Sequence, residues 1–232
     1  MNRRTVLKQL AGAGALGLIA PANLDAVGES NEVASQPLAK AQIRFWLETS
    51  LKRVYPTSPP GSGEPLRLLT ARAARLSFQA CFRNDRINSV IMRCEVLGAD
   101  DCQPVVRRVG FVPLRGLNTY VPKDEIEGVG FIPGLCPDPL FPEGTAHIGP
   151  QANGVFWISL FIPADTKPGV RQLKVRLTLE NEFAYVDWTR PKPWSVELAV
   201  EVDVRPLVLQ SRHDFPVTKW ISADSIWEYY KV

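Results

Sequence analysis

An all-β fold is what this sequence predicts: an antiparallel β-sandwich of the immunoglobulin or jelly-roll kind, with a short C-terminal helix. Three observations carry that expectation. Several runs alternate apolar and polar residues with a period of two. Turn-forming residues punctuate those runs, and 20 prolines among 232 residues leave little room for helix.

Residues 1–26 stand apart from the fold. Arg3 and Arg4 precede a modest apolar run, Leu10 to Ala20, and small residues follow at Ala22 and Ala26. A basic start, a short apolar stretch and small residues at a cleavage site describe a secretory signal of the bacterial twin-arginine type. The run is too short and too rich in Gly and Ala to span a membrane, which takes about 20 strongly apolar residues. The expected destination is the periplasm or the outside of the cell, with no membrane anchor after cleavage. Residues 27–42 read as a linker.

From Ile43 to Pro216 the chain reads as the sandwich domain. Leu76, Phe78, Ala80 and Phe82 alternate with Ser77, Gln79 and Arg83; Leu173 to Leu179 and Val196 to Val204 alternate in the same way. Successive strand side chains point to opposite faces, so each run predicts one dry and one wet face. Phe156 to Ile162 is apolar on both faces and predicts a central strand covered on both sides. Val90–Leu97 and Val105–Leu114 are less regular strand candidates. Proline clusters at 56–65 and 133–142 predict two loops, and Pro168-Gly169 a turn in which glycine supplies a positive φ. Residues 217–232 form an aromatic tail, with Ser222 to Tyr230 as the predicted helix, capped by Ser222 or Asp224.

The charge balance excludes some partners. The whole chain is +3, but residues 1–26 hold Arg3, Arg4 and Lys8 against Asp25, which leaves 24 basic and 23 acidic residues beyond them. Such a near-neutral chain has no electrostatic reason to seek nucleic acid or an anionic surface. The four cysteines, Cys81, Cys94, Cys102 and Cys136, lack metal-ligand spacing and share the chain with only two histidines. No metal or other cofactor is expected. Cys81 and Cys94 would flank a hairpin near Asn84–Arg86 but point to opposite faces, Cys81 with the wet Ser77/Gln79 side. Cys102 and Cys136, both expected in loops, are the better candidate disulfide.

A search for catalytic groups finds little. There is no G-x-S-x-G elbow and no phosphate-cradling glycine loop. The pairs Asp100-Asp101 and Asp124-Glu125 point opposite ways in extended backbone and read as solvated loop charges. Asp138 reads as a turn cap; for His147 and His213 the sequence names no catalytic partner, and a structural or surface role is expected. Two aromatic groups remain: Trp188 and Trp194, in or beside the loop before Val196, and Trp220, Trp227, Tyr229 and Tyr230 in the tail. Such rings suit packing or an interface, and they also suit stacking on a sugar.

The order of segments resembles a known family. Phe45-Trp46-Leu47 precedes Lys52-Arg53-Val54-Tyr55-Pro56; Ala71-Arg72-Ala73-Ala74-Arg75-Leu76-Ser77-Phe78-Gln79 follows. Then come Pro137-Asp138-Pro139-Leu140-Phe141-Pro142, Asn153-Gly154-Val155-Phe156-Trp157-Ile158, Ile162 to Gly169, and Asp214-Phe215-Pro216. As a set, over about residues 43–230, these are similar to the N-terminal β-sandwich domain of glycoside hydrolase family 123-like proteins. Ala74 departs from the pattern, where an acid is expected. The resemblance implies glycoside hydrolysis by an acidic pair on a C-terminal (β/α) barrel. No position here matches those acids, and the chain reaches Val232 where the barrel would begin. The expectation is therefore a non-catalytic accessory domain that docks or supports a separately encoded (β/α) barrel. Its rival is a carbohydrate-binding module whose loop aromatics hold a glycan, and a weaker one is a glycosidase with an unfamiliar site.

Overall fold

The computed structural model describes residues 42–117, 120, 122–126, 128–183, 193–210 and 228. The segment 1–26 with Arg3 and Arg4, the linker up to residue 41, His213, Trp188, Trp220, Trp227, Tyr229 and Tyr230 lie outside them.

Ten strands form two five-stranded sheets. They are β1 (Ile43–Thr49), β2 (Leu66–Arg72), β3 (Ala74–Asn84), β4 (Ser89–Leu97), β5 (Val105–Leu114), β6 (Gly134–Phe141), β7 (Thr145–Ile148), β8 (Ala152–Ile162), β9 (Gly169–Phe183) and β10 (Trp194–Val208). The first sheet has the order β1-β3-β8-β5-β6 and the second β2-β10-β9-β4-β7. Every pairing between these strands is antiparallel except that of β2 with β10, which is parallel.

The predicted alternation determines which side chains meet. Phe78, Ala80 and Phe82 of β3 and Phe156, Ile158, Leu160 and Ile162 of β8 face Leu173, Val175, Leu177 and Leu179 of β9 and Val200, Val202 and Val204 of β10. All of these are essentially removed from water. Burying a large aliphatic or aromatic side chain contributes about 1.5–3 kcal/mol, so this layer supplies most of the gross driving force. β8, apolar on both faces, is the middle strand of its sheet, as its sequence predicts. Gly154 sits where a side chain would collide with the Phe82 ring and Ile148. Ala74, at the start of β3, is buried in a setting that suits a methyl group.

Several expectations are corrected. Among the described residues there is no α-helical element, only single 3-10 turns at Asp100–Cys102 and Lys123–Glu125. The all-β antiparallel part of the predicted fold is what the described residues show; no C-terminal helix is among their elements, and of the predicted Ser222–Tyr230 only Glu228 is described. Residues 134–141, expected as a loop, form β6. Proline is tolerated there because β6 is an edge strand with one side free of ladder bonds. β3 and β4 do not make a hairpin: they belong to different sheets, and Asn84–Asn88 carries the chain across. The Asn84 amide braces that crossing, donating to the carbonyls of Asn88 (2.8 Å) and Gly149 (2.9 Å).

Candidate docking surface

The outward faces of the two sheets have different fates. On the second sheet, charged side chains form a lattice. Glu197 accepts from Lys174 at 2.8 Å and Arg176 at 2.7 Å, and these two cations hold its carboxyl below the usual range. Gln172 reaches Glu201 at 3.2 Å, and Arg93 pairs with Glu180. Apart from exposed Leu69 and Val170, this face is polar and internally matched.

On the first sheet, half of the outward face is roofed. Residues 50–63 cross it as a strap, and Trp46, Val54, Cys81, Val109 and Val155 form a second apolar cluster beneath it. Polar side chains of the sheet hold the strap down. The Gln79 amide donates to the carbonyls of Thr49 and Lys52, each at 2.7 Å. The Asn153 amide donates to those of Tyr55 (2.8 Å) and Ser58 (2.9 Å), and its backbone N–H to that of Pro56 (2.9 Å). The Ser58 hydroxyl accepts from the Tyr55 N–H at 2.9 Å. Buried backbone carbonyls need partners, and these amides supply them. Farther along, the Tyr55 ring stacks on Phe131 at 4.5 Å beside Ile132 and Cys136.

The strap overturns the expectation that the Ser77/Gln79/Cys81 side is wet: Gln79 and Cys81 are buried. Alternation shows which residues share a face but not whether something covers it. Trp46, Gln79, Cys81 and Asn153 converge on the proline-rich loop only in the folded chain.

Beyond the strap the same face is open. Ser77 and Ser159, cross-strand partners, share a hydrogen bond of 3.0 Å between hydroxyls. Arg75 is paired with Phe161 and Val105 with Ser159. Outward-facing Phe161 is 37 % exposed and Val105 42 %, with Arg107 and Trp157 half-buried beside them. An aromatic ring and a branched aliphatic, flanked by two hydroxyls and two guanidinium groups, make a small amphipathic surface on a rigid sheet. It can bury apolar area against a partner and supply hydrogen bonds at the rim.

At one end of the sandwich a shallow depression of about 320 Å³ is lined by Asp101 and Thr166–Arg171. Arg171 grips Asp101 with both nitrogens, at 2.7 and 2.8 Å, and one of them lies 3.2 Å from the Cys102 sulfur. The guanidinium holds the Asp101 carboxyl below its ordinary range. Burial pushes the Cys102 thiol up, opposed by Arg171. A carboxylate already clamped by an arginine and a protonated thiol are poor catalytic groups. Asp101 is thus a clamped partner, where its sequence context predicted a solvated charge.

Of the other predicted residues, Trp194 begins β10 and meets Phe45 edge-on at 5.8 Å, half-buried against the core. That contact packs one side of the indole against the core and leaves it part-exposed. Cys102 and Cys136 do not meet. Cys102 belongs to the main core and Cys136 to the Tyr55 cluster, and all four thiols are free and buried. The candidate bridge fails because Cys136 is fixed on β6, not carried by a loop. His147 is exposed on β7, and Asp138 is exposed on β6. Among the described residues no three His, Cys, Asp or Glu side chains gather as metal ligands.

No protein-family model matches the chain, and neither does a curated protein. Solved structures similar to it include a family 123 glycoside hydrolase from Clostridium perfringens described for glycolipid glycan hydrolysis. That match has a TM-score of 0.44 at 12 % identity, over 72 % of this chain and 28 % of the other, so this chain spans little more than a quarter of that enzyme's length. A PapD-like domain of human CEP192 matches with a TM-score of 0.34 at 6 % identity, over 85 % of this chain and all of the other. The E. coli chaperone DraB matches with 0.35 at 11 %, over 62 % and 54 %. At these scores the likenesses are distant and partial; they accord with a β-sandwich and assign neither partner nor activity.

Proposed function

We propose that this chain is an exported, non-catalytic β-sandwich module that seats a carbohydrate-active (β/α) barrel. The observation that carries the reading is the contrast between the two outward faces. One is knit by ion pairs over most of its area, apart from exposed Leu69 and Val170, while the other leaves Phe161 and Val105 uncovered beside half-buried Trp157 and a tethered strap. Exposed apolar side chains rimmed by polar ones mark interaction sites. The ordered sequence segments shared with family 123-like proteins supply the identity of the partner. The twin-arginine-type start supports export.

The test is to mix the mature protein with a purified family 123-like barrel domain and measure the complex by light scattering. A one-to-one complex is expected, weakened at least about tenfold by Phe161→Glu with the sandwich's melting temperature little changed. Absence of a complex with native protein ends the reading. Phe161-dependent retention on a glycan array, with no affinity for a barrel, would replace it with a carbohydrate-binding module.

A further inference from the structure

Four strands end the two sheets, and three of their free edges are blunted. Beside β1 runs the chain returning from the strap: a side chain at Gly63 would sit 3.5 Å from the Phe45 carbonyl. β6 carries Pro137 and Pro139, which have no N–H to offer a further strand. β7 is only four residues long. Those are the devices by which sandwiches avoid edge-to-edge association.

β2 has none of them. It is seven residues long, Leu66-Arg67-Leu68-Leu69-Thr70-Ala71-Arg72, without proline, and among the described residues only β10 pairs with it, the one irregularity of their ladder lying on the β10 side between Val204 and Val208. At its centre Leu69 faces outward and is 62 % exposed. Leu207, equally bare, and Leu209, 49 % exposed, stand near its end, where the Leu209 N–H bonds the Arg72 carbonyl at 3.0 Å.

The geometry points to a second copy of this chain as the occupant of that edge. Two β2 strands run antiparallel about a two-fold axis through Leu69, joining two copies of the second sheet into one continuous sheet. The strand is self-complementary in that register. Leu69 meets Leu69, Arg67 lies opposite Ala71, Leu68 opposite Thr70 and Leu66 opposite Arg72. No like charges face each other, and the most exposed apolar side chain of the strand is covered by its own counterpart. A register centred on Arg67 would set two guanidinium groups face to face, which disfavours it. The contact strip is about 23 Å long, at about 3.3 Å per residue, which suits a weak, concentration-dependent dimer. This contact uses the second sheet, so it is independent of the barrel-docking face.

Two measurements on the full mature chain test it. Sedimentation velocity across a concentration series should show reversible dimerisation, and Leu69→Lys should weaken it at least about tenfold by placing two ammonium groups on the axis. Leu69→Cys should cross-link to a covalent dimer under mild oxidation, because directly opposed residues lie about 4.5–5.5 Å apart, within disulfide reach. The native thiols are buried and should stay silent. A native chain that stays monomeric at high concentration overturns the proposal, and so does a dimer indifferent to Leu69→Lys whose Leu69→Cys form does not cross-link.

Discussion

Replacing Asn153 should unfasten the strap. Its side-chain amide makes two hydrogen bonds, to the Tyr55 and Ser58 carbonyls, and all three residues are buried. Each bond contributes about 1 kcal/mol net, and a stranded buried carbonyl costs about 1–3 kcal/mol. Lifting of the strap would let water reach those carbonyls and so limits the loss. Asn153→Ala should therefore destabilise by about 2–4 kcal/mol, which lowers the melting temperature by about 5–12 °C in a domain of this size. Hydrogen exchange gives the local reading: the Tyr55 and Ser58 amides, each bonded inside the strap, should exchange faster, while amides in β8 and β9 change only with global stability. Asn153→Asp adds a pH signature. Burial and two facing carbonyls disfavour a carboxylate more than the Arg83 guanidinium, 3.5 Å from the Asn153 side-chain oxygen, favours it, so its folded-state pKa rises above the unfolded value of about 3.9. The unfolded chain then loses its proton first, and stability falls as pH rises from about 4 through the folded pKa. Denaturant melts at pH 4 and pH 7 would show it. A loss below about 0.5 kcal/mol for Asn153→Ala, with strap exchange unchanged, would refute the fastening role.

Other consequences can be measured directly. Gly154→Ala drives a methyl group toward the Phe82 ring and should cost about 1–3 kcal/mol by overpacking, read from chemical denaturation. The Arg171–Asp101 clamp lowers the Asp101 pKa, so its contribution is present above the unfolded carboxylate pKa and is lost as pH falls through the lower folded value. Because the Asp101 side chain is 54 % exposed, Arg171→Met should change stability at pH 7 by less than about 1 kcal/mol, while an NMR titration shows the Asp101 carboxyl returning toward about 3.9. Burial raises the pKa of the Cys81 and Cys94 thiols. Both should resist a thiol reagent in the native state at pH 8 and react quickly in denaturant, as a timed colorimetric assay would show.

What could be read from the sequence follows from what periodicity encodes. β3, β9 and β10 are visible because one face of each is buried and the other wet or polar, and β8 because it is apolar throughout. β2 escaped because Leu69, outward and exposed, breaks the alternation set by Leu66 and Leu68. β6 escaped because Pro137 and Pro139 read as loop-formers, and only its edge position makes a strand of them. The strap was hidden for a different reason. Whether Gln79 and Cys81 meet water depends on a segment some thirty residues earlier folding back over them, a tertiary fact that no local window contains. The open patch at Phe161 and Val105 is the remainder of that face, and so it became visible only once the strap was placed.

The parallel pairing of β2 with β10 also bears on how the molecule is made. Arg72 and Pro206, joined by a hydrogen bond where the two strands end, lie 134 residues apart. Closing so long a loop is entropically slow, and on a ribosome the seven residues of β2 emerge well before the strand that shelters them. Newly made chains therefore hold a bare Leu-rich segment until β10 has emerged, which makes chaperone cover for residues 66–72 most valuable during that interval.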